Sequence, residues 1–272
     1  MEKKATFPST VPNPAKQRTI RQEFTLSGIG LHTGQKTAIN FFPAEENSGI
    51  IFSYKNKKIP ALAENVTDSK RGVSLGEIIL VEHVLAAAAG AGLDNLLIEL
   101  TSNEPPALDG SALPYFEAFR SSGAVEQNAP KRIFKVCEPI DIVENGARLT
   151  AEPSDGFRVD FMLDFPIIGR QEVRYDGDFK QVAGARTFGL VEELDSLRKS
   201  GLARGASLDN ALGIGTKGYL NQPRFPDEPV RHKVLDLIGD LKLTGGEVRG
   251  HFKAIKSGHR HNVALALKLK GG

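Results

Sequence analysis

Strand-like segments precede helix-like segments in each half of the chain, and this order constrains the fold more than any other feature. Short segments of alternating apolar and polar residues, separated by Gly, Pro and Asn, are typical of strands joined by turns. Because the strands cluster instead of alternating with helices, the sequence predicts an α+β fold. The strand candidates are 25–29, 37–42, 49–54, 95–100, 134–143, 147–151, 157–163 and 263–269, and the helix candidates are 78–91, 111–118, 190–200 and 229–243.

The composition excludes several classes of protein. The 272 residues carry a formal net charge of +2, which argues against a broad nucleic-acid-binding surface, and we expect no nucleic-acid partner. The single cysteine, Cys137, excludes an intrachain disulfide and a Cys-rich zinc site. No apolar run approaches the roughly 20 residues of a membrane span, and we find no signal-peptide core, so we expect a cytoplasmic protein.

A polar, Pro-containing stretch at 123–132 indicates a domain boundary near the middle of the chain. We predict a flexible leader over 1–16, an N-terminal α+β domain over 17–127 and a C-terminal α+β domain over 128–272. Each domain then contains several strands and two helices. This similarity of content suggests a duplication.

The segment 229–241 places three polar side chains on one side of a predicted helix. At about 100° per residue, His232, Asp236 and Asp240 form one stripe and aliphatic residues form another. Histidine and aspartate four residues apart can reach one metal ion, and nitrogen and carboxylate ligands suit Zn²⁺. A solvated polar stripe is the alternative. Against it stand the apolar surroundings and Gly239, which costs about 1 kcal/mol relative to Ala unless close packing requires it.

Glu82 and His83 interrupt the Ala-rich helix candidate. Removing either charge from water without a partner costs several kcal/mol. One interpretation is a satisfied core histidine with the glutamate at the rim. The other is a third metal ligand beside a carboxylate. Three protein ligands leave one position open in catalytic zinc sites, where a nearby glutamate is the expected general base.

Two loops offer further candidates, and a third does not. A histidine of 256–262 either lies on the surface or protonates a leaving group and stabilises an oxyanion, in which case Asp240 could orient it. The Gly-rich basic loop 201–207 either holds a phosphate through backbone N–H groups or is only a connection. The GxGxxxG spacing at 28–34 does not match a dinucleotide-binding loop.

Seven sequence stretches, spread over nearly the whole chain, carry a more specific signal. They are SGIGLHTG (27–34), VEHVLAAA (81–88), EPPALDGSALPYF (104–116), ARTFG (185–189), GLARGAS (201–207), EPVRHKVLDLIGDL (228–241) and KSGHRHN (256–262). Together they resemble the UDP-3-O-acyl-N-acetylglucosamine deacetylases of bacterial lipid A biosynthesis. The resemblance extends from about Thr19 to Lys268.

The resemblance implies a fold, a reaction and a partner. The fold is two similar α/β-sandwich domains packed through their helices, each with an insertion, with the site between them. The reaction is the zinc-dependent hydrolysis of the N-acetyl group of a UDP-linked acylated amino sugar, which gives acetate and the free amine. We expect a monomer with at most peripheral membrane contact.

The resemblance also implies the groups that hold the metal and activate the reactants. His83, His232 and Asp236 match the zinc ligands. Glu82 matches the base that takes a proton from the attacking water. Thr187 matches a threonine that helps to hold the oxyanion.

The remaining matches concern the leaving group and the substrate. His259 matches a histidine beside the reaction centre, and Asp240 matches its carboxylate partner. Protonated His259 would stabilise the negative intermediate, and either it or the glutamate base would protonate the departing amine. Lys233 and Phe188 match substrate contacts, and Lys256 matches a residue near the nucleotide.

Three places depart from the family pattern. Leu80 stands where the family usually has Thr, and Ala206 stands where Gly is common. The segment 68–79 is several residues short, with 71–74 (RGVS) in place of a Thr-rich stretch. These places lie near the expected site, so we expect substrate affinity to differ.

The apolar stretch 157–168 is the candidate for one wall of an acyl-chain passage.

Two other functions stay open at this point. Another zinc amidohydrolase or a peptidase would use the same ligands, although the zincin motif HExxH is absent, since Val84, Leu85 and Ala86 follow His83. A binding protein with a structural metal or none would have a closed or empty site.

Overall fold

The computed structural model describes residues 15–271, which form strands and α-helices in the following order. The first half contains β1 (Lys16–Ile20), β2 (Phe24–Ile29), β3 (Lys36–Pro43), β4 (Ile50–Tyr54), β5 (Lys57–Pro60), β6 (Val66–Asp68), β7 (Ser74–Leu75), α1 (Glu82–Gly90), β8 (Leu96–Leu100), α2 (Leu113–Ser122) and β9 (Ala124–Pro130). The second half contains β10 (Ile133–Lys135), β11 (Ile140–Glu144), β12 (Ala147–Glu152), β13 (Phe157–Phe165), β14 (Gly169–Tyr175), β15 (Phe188–Leu190), α3 (Leu194–Lys199), β16 (Leu212–Gly215), β17 (Gly218–Tyr219), α4 (Glu228–Leu241), β18 (Glu247–Ile255) and α5 (His259–Gly271).

The two halves share one topology. The first sheet has the strand order β2-β3-β8-β4-β5, and the second has the order β11-β12-β18-β13-β14, with β10 also paired to β18. Along both orders the successive pairs are antiparallel, antiparallel, parallel and antiparallel. One helix precedes and one follows the central strand of each sheet, so α1 corresponds to α4 and α2 to α5. This arrangement confirms the α+β prediction and supports a duplication.

Each half also carries an insertion at the same place in its topology. In the first half, β6 and β7 lie between β5 and α1, where they pair with each other. In the second half, β15, α3, β16 and β17 lie between β14 and α4, and the three strands form a small sheet. The insertions therefore come directly before the two corresponding helices.

The helix layers of the two halves face each other. Helix α1 packs against α4 and α2, and α4 packs against α5. Gly239, in the last turn of α4, approaches the main chain of α1. Close helix packing thus accounts for a glycine at a position where it weakens an isolated helix. The side chains of α1 and α4 that line this interface include those predicted to form the site.

The predicted last strand, 263–269, is wrong, because these residues belong to α5. The run VALALKLK alternates apolar and polar positions, which suits a strand, but Ala, Leu and Lys are also strong helix formers. In the structure Asn262, Leu265 and Ala266 are buried at helical spacing, while Leu267 is exposed. Burial against the rest of the second half therefore selects the helical spacing of about 3.6 residues over the strand spacing of two.

Some other predicted boundaries differ from the structure. Helix α1 begins at Glu82 and not at position 78, because Leu80 has a left-handed backbone (φ 57°) that a helix cannot continue. The predicted strand 134–143 is two strands, β10 and β11. The predicted helix 190–200 is reduced to α3, after a 3₁₀ turn at Val191–Glu193.

The middle of the chain is not a loose linker. The stretch predicted as a boundary contains β9, which pairs antiparallel with β1, and the predicted division at 127–128 falls inside that strand. From the repeated topology we propose that the units meet after β9. Most of the predicted leader lies outside the described residues, but Lys16 already belongs to β1.

Candidate active site

Two histidines and one aspartate from the two halves converge on a single point. His83 lies on α1, and His232 and Asp236 lie one turn apart on α4. The Oδ1 atom of Asp236 lies 3.8 Å from Nε2 of His83 and 3.3 Å from Nε2 of His232. One donor atom from each residue lies within 4.8 Å of the other two. A tetrahedral ion with bonds of about 2.1 Å would separate its ligand atoms by about 3.4 Å, so this group could hold a metal ion.

The hydrogen bonds around these residues leave the converging atoms free. Nδ1 of His232 lies 3.1 Å from the carbonyl oxygen of Ala185, which can only accept, so Nδ1 carries the proton and Nε2 keeps a lone pair. Oδ1 of Asp236 is buried and has no hydrogen-bond partner, whereas its Oδ2 accepts from Nζ of Lys233 at 2.7 Å. A buried carboxylate oxygen without a donor is costly, and a cation would satisfy it.

The charges of the group are those of a metal-binding set. Burial, together with the neighbouring His232, lowers the pKa of His83 to about 3, and burial also lowers the pKa of His232. Both imidazoles are therefore neutral near pH 7. Burial opposes ionisation of Asp236, but His232 and Lys233 hold the pKa of this carboxyl well below its usual range. Neutral imidazole and ionised carboxylate are the forms that coordinate metals.

Glu82 lies beside this group and is itself buried, with 3 % of its surface exposed. Its Oε2 accepts a hydrogen bond from the backbone N–H of Val73 at 2.9 Å. A Cβ atom at Gly72 would lie 2.6 Å from Oε1, so the loop before α1 encloses the carboxyl group closely. Burial raises the pKa of Glu82 to about 7, a value suited to a general base near neutral pH.

A buried His–Asp pair lies on the other side of the group. His259, the first residue of α5, places Nδ1 2.8 Å from Oδ2 of Asp240 and Nε2 3.7 Å from Oδ2 of Asp236. Asn262 donates a second hydrogen bond to the same oxygen of Asp240, at 2.8 Å. Burial alone would lower the pKa of His259, but Asp240 and Asp236 raise it to about 9. His259 is therefore a cation at neutral pH.

A cavity of about 820 Å³ opens onto these residues from between the two insertions. Thr187, Phe188 and Lys233 all line it. The main chain of Thr187 is fixed, since its N–H donates to Gly110 at 2.8 Å and its carbonyl accepts from Leu212 at 2.8 Å. Phe188 lies between the polar centre and the apolar part of the cavity, with its ring 5.9 Å from that of His232 and 5.8 Å from Nζ of Lys233.

The places that depart from the family pattern also line the cavity. Leu80, Arg71 and Ala206 are all lining residues. Lys256 reaches the cavity too, and its Nζ forms an ion pair of 2.8 Å with Asp164. The structure thus brings every predicted site residue to one region except Asp240, which lies behind His259 and contacts the cavity only through it.

The predicted acyl-passage wall is largely wrong. The stretch 157–168 is mostly strand β13, and Phe157 and Phe161 pack into the interior of the second half instead of facing the cavity. Only Leu163 and Phe165 of this stretch line the cavity. The apolar lining comes mainly from the second insertion: Phe188, Leu190, Val191, Leu194, Leu197, Ala203, Leu208, Leu212 and Leu220.

The loop 201–207 is a connection and not a phosphate cradle. Every backbone N–H group of the loop donates within the protein. Three of these bonds reach the first half: the N–H of Ala203 to Nδ1 of His32, that of Arg204 to the carbonyl of His32, and that of Gly205 to the carbonyl of Leu31. No N–H group of this loop is left to bind an anion.

Sequence reasoning missed two buried acidic residues that shape the site. Glu228 at the start of α4 is fully buried and pairs with Arg186, with Nε 2.8 Å from Oε1. Glu104 is also fully buried and accepts from the N–H groups of His32 and Thr33 at 2.7 and 2.8 Å. Both lie inside motifs given above, but their partners are distant in sequence. The one sequence signal for their burial was a charged residue next to an apolar segment.

The fold and site together fit the class of metal-dependent hydrolases: two α+β halves enclose a His/His/Asp group that could hold a metal, a buried carboxylate and an apolar cavity. The family model of the UDP-3-O-acyl N-acetylglycosamine deacetylases, LpxC, matches residues 17–271. The chain belongs to this family.

Curated relatives are similar over nearly their whole length. A UDP-3-O-acyl-N-acetylglucosamine deacetylase of Coxiella burnetii is 41% identical over 93% of this chain and 90% of its own. That of Saccharophagus degradans is 40% identical over the same shares, and that of Myxococcus xanthus is 39% identical over 95% and 87%. The alternative of a peptidase or an unrelated amidohydrolase is not favoured by these similarities.

Proposed function

We propose that this chain hydrolyses the N-acetyl group of UDP-3-O-acyl-N-acetylglucosamine, giving acetate and UDP-3-O-acyl-glucosamine for lipid A biosynthesis. The observation that carries the proposal is the convergence of His83, His232 and Asp236 at the inner end of an apolar cavity. Such a cavity fits a substrate that has a polar reacting end and an acyl chain. Family membership supports the same reaction.

We assign Zn²⁺ as the metal and His83, His232 and Asp236 as its ligands. Two imidazole nitrogens and one carboxylate oxygen suit Zn²⁺, and the unsatisfied Oδ1 of Asp236 fits a cation there. When bound, the ion would act as a Lewis acid on the acetamide carbonyl and lower the pKa of water.

Glu82 acts as the general base. Its Oε2 is held by Val73, which leaves Oε1 to accept a proton from the water that attacks the acetamide carbon. The new C–O bond forms as this proton moves to Glu82. The hydroxyl of Thr187, which lines the cavity, donates to the substrate oxygen on which negative charge develops.

His259 stabilises the same negative charge as a cation, because Asp240 holds its Nδ1–H and leaves Nε2–H to face the substrate. The C–N bond then breaks, and either His259 or protonated Glu82 gives its proton to the departing amine. The products are acetate and the free 2-amino group. Lys233 and Phe188 contact the sugar or acyl part, and Lys256 lies near the nucleotide.

A direct assay tests the proposal. Purified protein with zinc is expected to release acetate from UDP-3-O-acyl-N-acetylglucosamine, to act far more slowly on the same compound without the 3-O-acyl group, and to leave an N-acetylated peptide intact. Equal kcat/KM for the acylated and deacylated compounds would contradict the role of the apolar cavity. Cleavage of the peptide alone would contradict the substrate. That the protein works as a monomer stays a prediction for light scattering.

A further inference from the structure

Four exposed apolar side chains gather at the outer end of the cavity. Among the described residues nine large apolar side chains are exposed, and four of them are Ile29, Val191, Leu208 and Leu220, with 47%, 38%, 49% and 53% of their surface accessible. We name these four residues the rim patch. No helix among residues 15–271 is both long and apolar enough to cross a bilayer.

The members of the rim patch belong to one surface, although they come from separate loops. A Cβ atom at Gly213 would lie 2.9 Å from Leu208 and 3.5 Å from Leu220, so these two leucines flank the same short strand. A Cβ atom at Gly205 would lie 3.0 Å from Ile29, which places Ile29 beside the loop that leads to Leu208. The patch is thus built from loop ends of both halves.

The rim patch is continuous with the apolar part of the cavity lining. Val191, Leu208 and Leu220 are exposed and also line the cavity. Leu194 and Leu212, which are less exposed than these three, also line the cavity. A bound acyl chain would therefore leave the cavity at an apolar surface instead of at water.

Charge does not explain the patch. The second insertion exposes four basic side chains (Arg198, Lys199, Arg204, Lys217) and four acidic ones (Glu192, Glu193, Asp195, Asp209). Of these, Glu193 forms an ion pair of 3.4 Å with Arg71 of the first insertion. Since the two signs balance within the second insertion, which supplies three of the four rim residues, we expect apolar contact to contribute more to holding an occupant than attraction between opposite charges.

We propose that the rim patch docks the protein on a lipid bilayer, so that the acyl chain of the substrate passes from the bilayer into the cavity without crossing water. The inference rests on the proposed function, because an acylated amino-sugar nucleotide partitions into lipid through its chain, by about 0.8 kcal/mol for each buried CH₂ group. Docking is reversible and peripheral, with the loop ends of the patch entering the interface.

Vesicle flotation without substrate tests the docking itself. The wild-type protein, loaded with zinc, is expected to float with vesicles of phosphatidylethanolamine and phosphatidylglycerol. The double variant Leu208→Ser/Leu220→Ser should bind at least tenfold more weakly. The matched control Val143→Ser/Leu267→Ser removes two other exposed apolar side chains, which lie away from the cavity, and should bind within twofold of wild type.

Three outcomes of flotation would overturn the proposal. In the first, the wild-type protein does not float, which would point to a protein partner for the patch. In the second, the control loses as much binding as the rim variant. In the third, binding is lost between 0.1 and 0.5 M salt. Because the charges of the second insertion balance, we expect the affinity to change less than threefold over that range.

An activity comparison separates docking from the deacetylase function. Ile29 is in the rim patch but does not line the cavity. Ile29→Ser should slow acetate release from a long-chain substrate in vesicles at least threefold, and should leave the rate on a dispersed short-chain substrate unchanged. An equal loss on both substrates would overturn the docking role. If the wild type were inactive on both substrates, the proposed function would be overturned. The flotation assay would still test the docking, because it needs no activity.

Discussion

A Cβ atom on Gly239 would lie only 2.1 Å from the carbonyl oxygen of Glu82, so the two helices that carry the candidate metal group meet through a position where no other residue fits. The same Cβ would lie 3.2 Å from the backbone nitrogen of Ala86. Both contacts are with main chain and cannot be relieved by rotating a side chain. The spacing between His83 on α1 and Asp236 on α4 therefore depends on this glycine.

Gly239→Ala is expected to destabilise the protein and to weaken metal binding. The overpacked helices must separate, at a cost of about 2–3 kcal/mol. Urea denaturation and zinc titration measure the two effects. Gly156→Ala is the control, because a Cβ there meets nothing within 4 Å. A variant as stable as the control would show that the helices can shift apart freely.

Glu82→Gln should lower kcat by about 10²–10⁴-fold, because an amide cannot take a proton from water. The amide oxygen can still accept from the N–H of Val73, so folding and zinc content should stay close to wild type. Steady-state acetate release and metal analysis measure both. Full activity in this variant would exclude Glu82 as the base.

His232→Ala and Asp236→Ala should each reduce the zinc content below about one ion per chain and abolish activity. A chelator should inactivate the wild type, and added Zn²⁺ should restore it. His251→Ala is the matched control, since His251 pairs with Asp160 on β13, away from the cavity. If the control lost zinc as readily as the two variants, the metal site would have been assigned wrongly.

Arg186→Met should destabilise the protein by about 3–5 kcal/mol, because it leaves Glu228 buried without its cation. Glu228 also accepts from the N–H groups of Arg186 and Arg224, so it stays anchored at the start of α4. The double variant Arg186→Met/Glu228→Gln should recover part of the loss. Denaturation of both variants measures this, and equal losses would show that the unpaired charge of Glu228 does not cause the destabilisation.

Stability should rise with pH in a way that depends on Lys242. Burial lowers the pKa of Lys242 to about 8, although Asp94 lies 3.9 Å away. The unfolded chain keeps this amine protonated up to about pH 10.4. Between pH 8 and 9.5 the unfolded state therefore binds more protons at this group, and the free energy of unfolding increases with pH.

The comparison with Lys242→Met isolates this effect, since other groups titrate alike in both proteins. Urea denaturation at pH 7.5 and 9.5 should show a smaller increase in stability for the variant. A difference of zero between the two proteins would mean that Lys242 has an ordinary pKa in the folded state.

Part of the site could be predicted because it is local. The four-residue spacing of His232 and Asp236 places both side chains on one helix face in any fold that forms α4, and the apolar run around Glu82 and His83 indicated a buried pair that needs a partner. The acyl-passage wall could not be predicted in the same way. An apolar segment can form either a buried strand or the wall of a cavity. Only the position of β13 within its sheet shows that the segment is a buried strand.

Two smaller errors also arose because the outcome depended on tertiary packing. The run 263–269 fits both the spacing of a strand and that of a helix, and the helix forms because it buries side chains against the rest of the second half. Three of the N–H groups of 201–207 had no visible partners in the sequence, because His32 and Leu31 lie in the first half.

By itself, then, the sequence determined the identity of the chemical groups, their spacing within each helix and the class of the fold, since these depend on short-range geometry and composition. The tertiary structure alone decided that His83 faces Asp236 at 3.8 Å, that the cavity is apolar at its outer end and that Leu208 and Leu220 remain uncovered there. Such contacts join residues distant along the chain, and their distances are set by how closely whole helices and loops can pack.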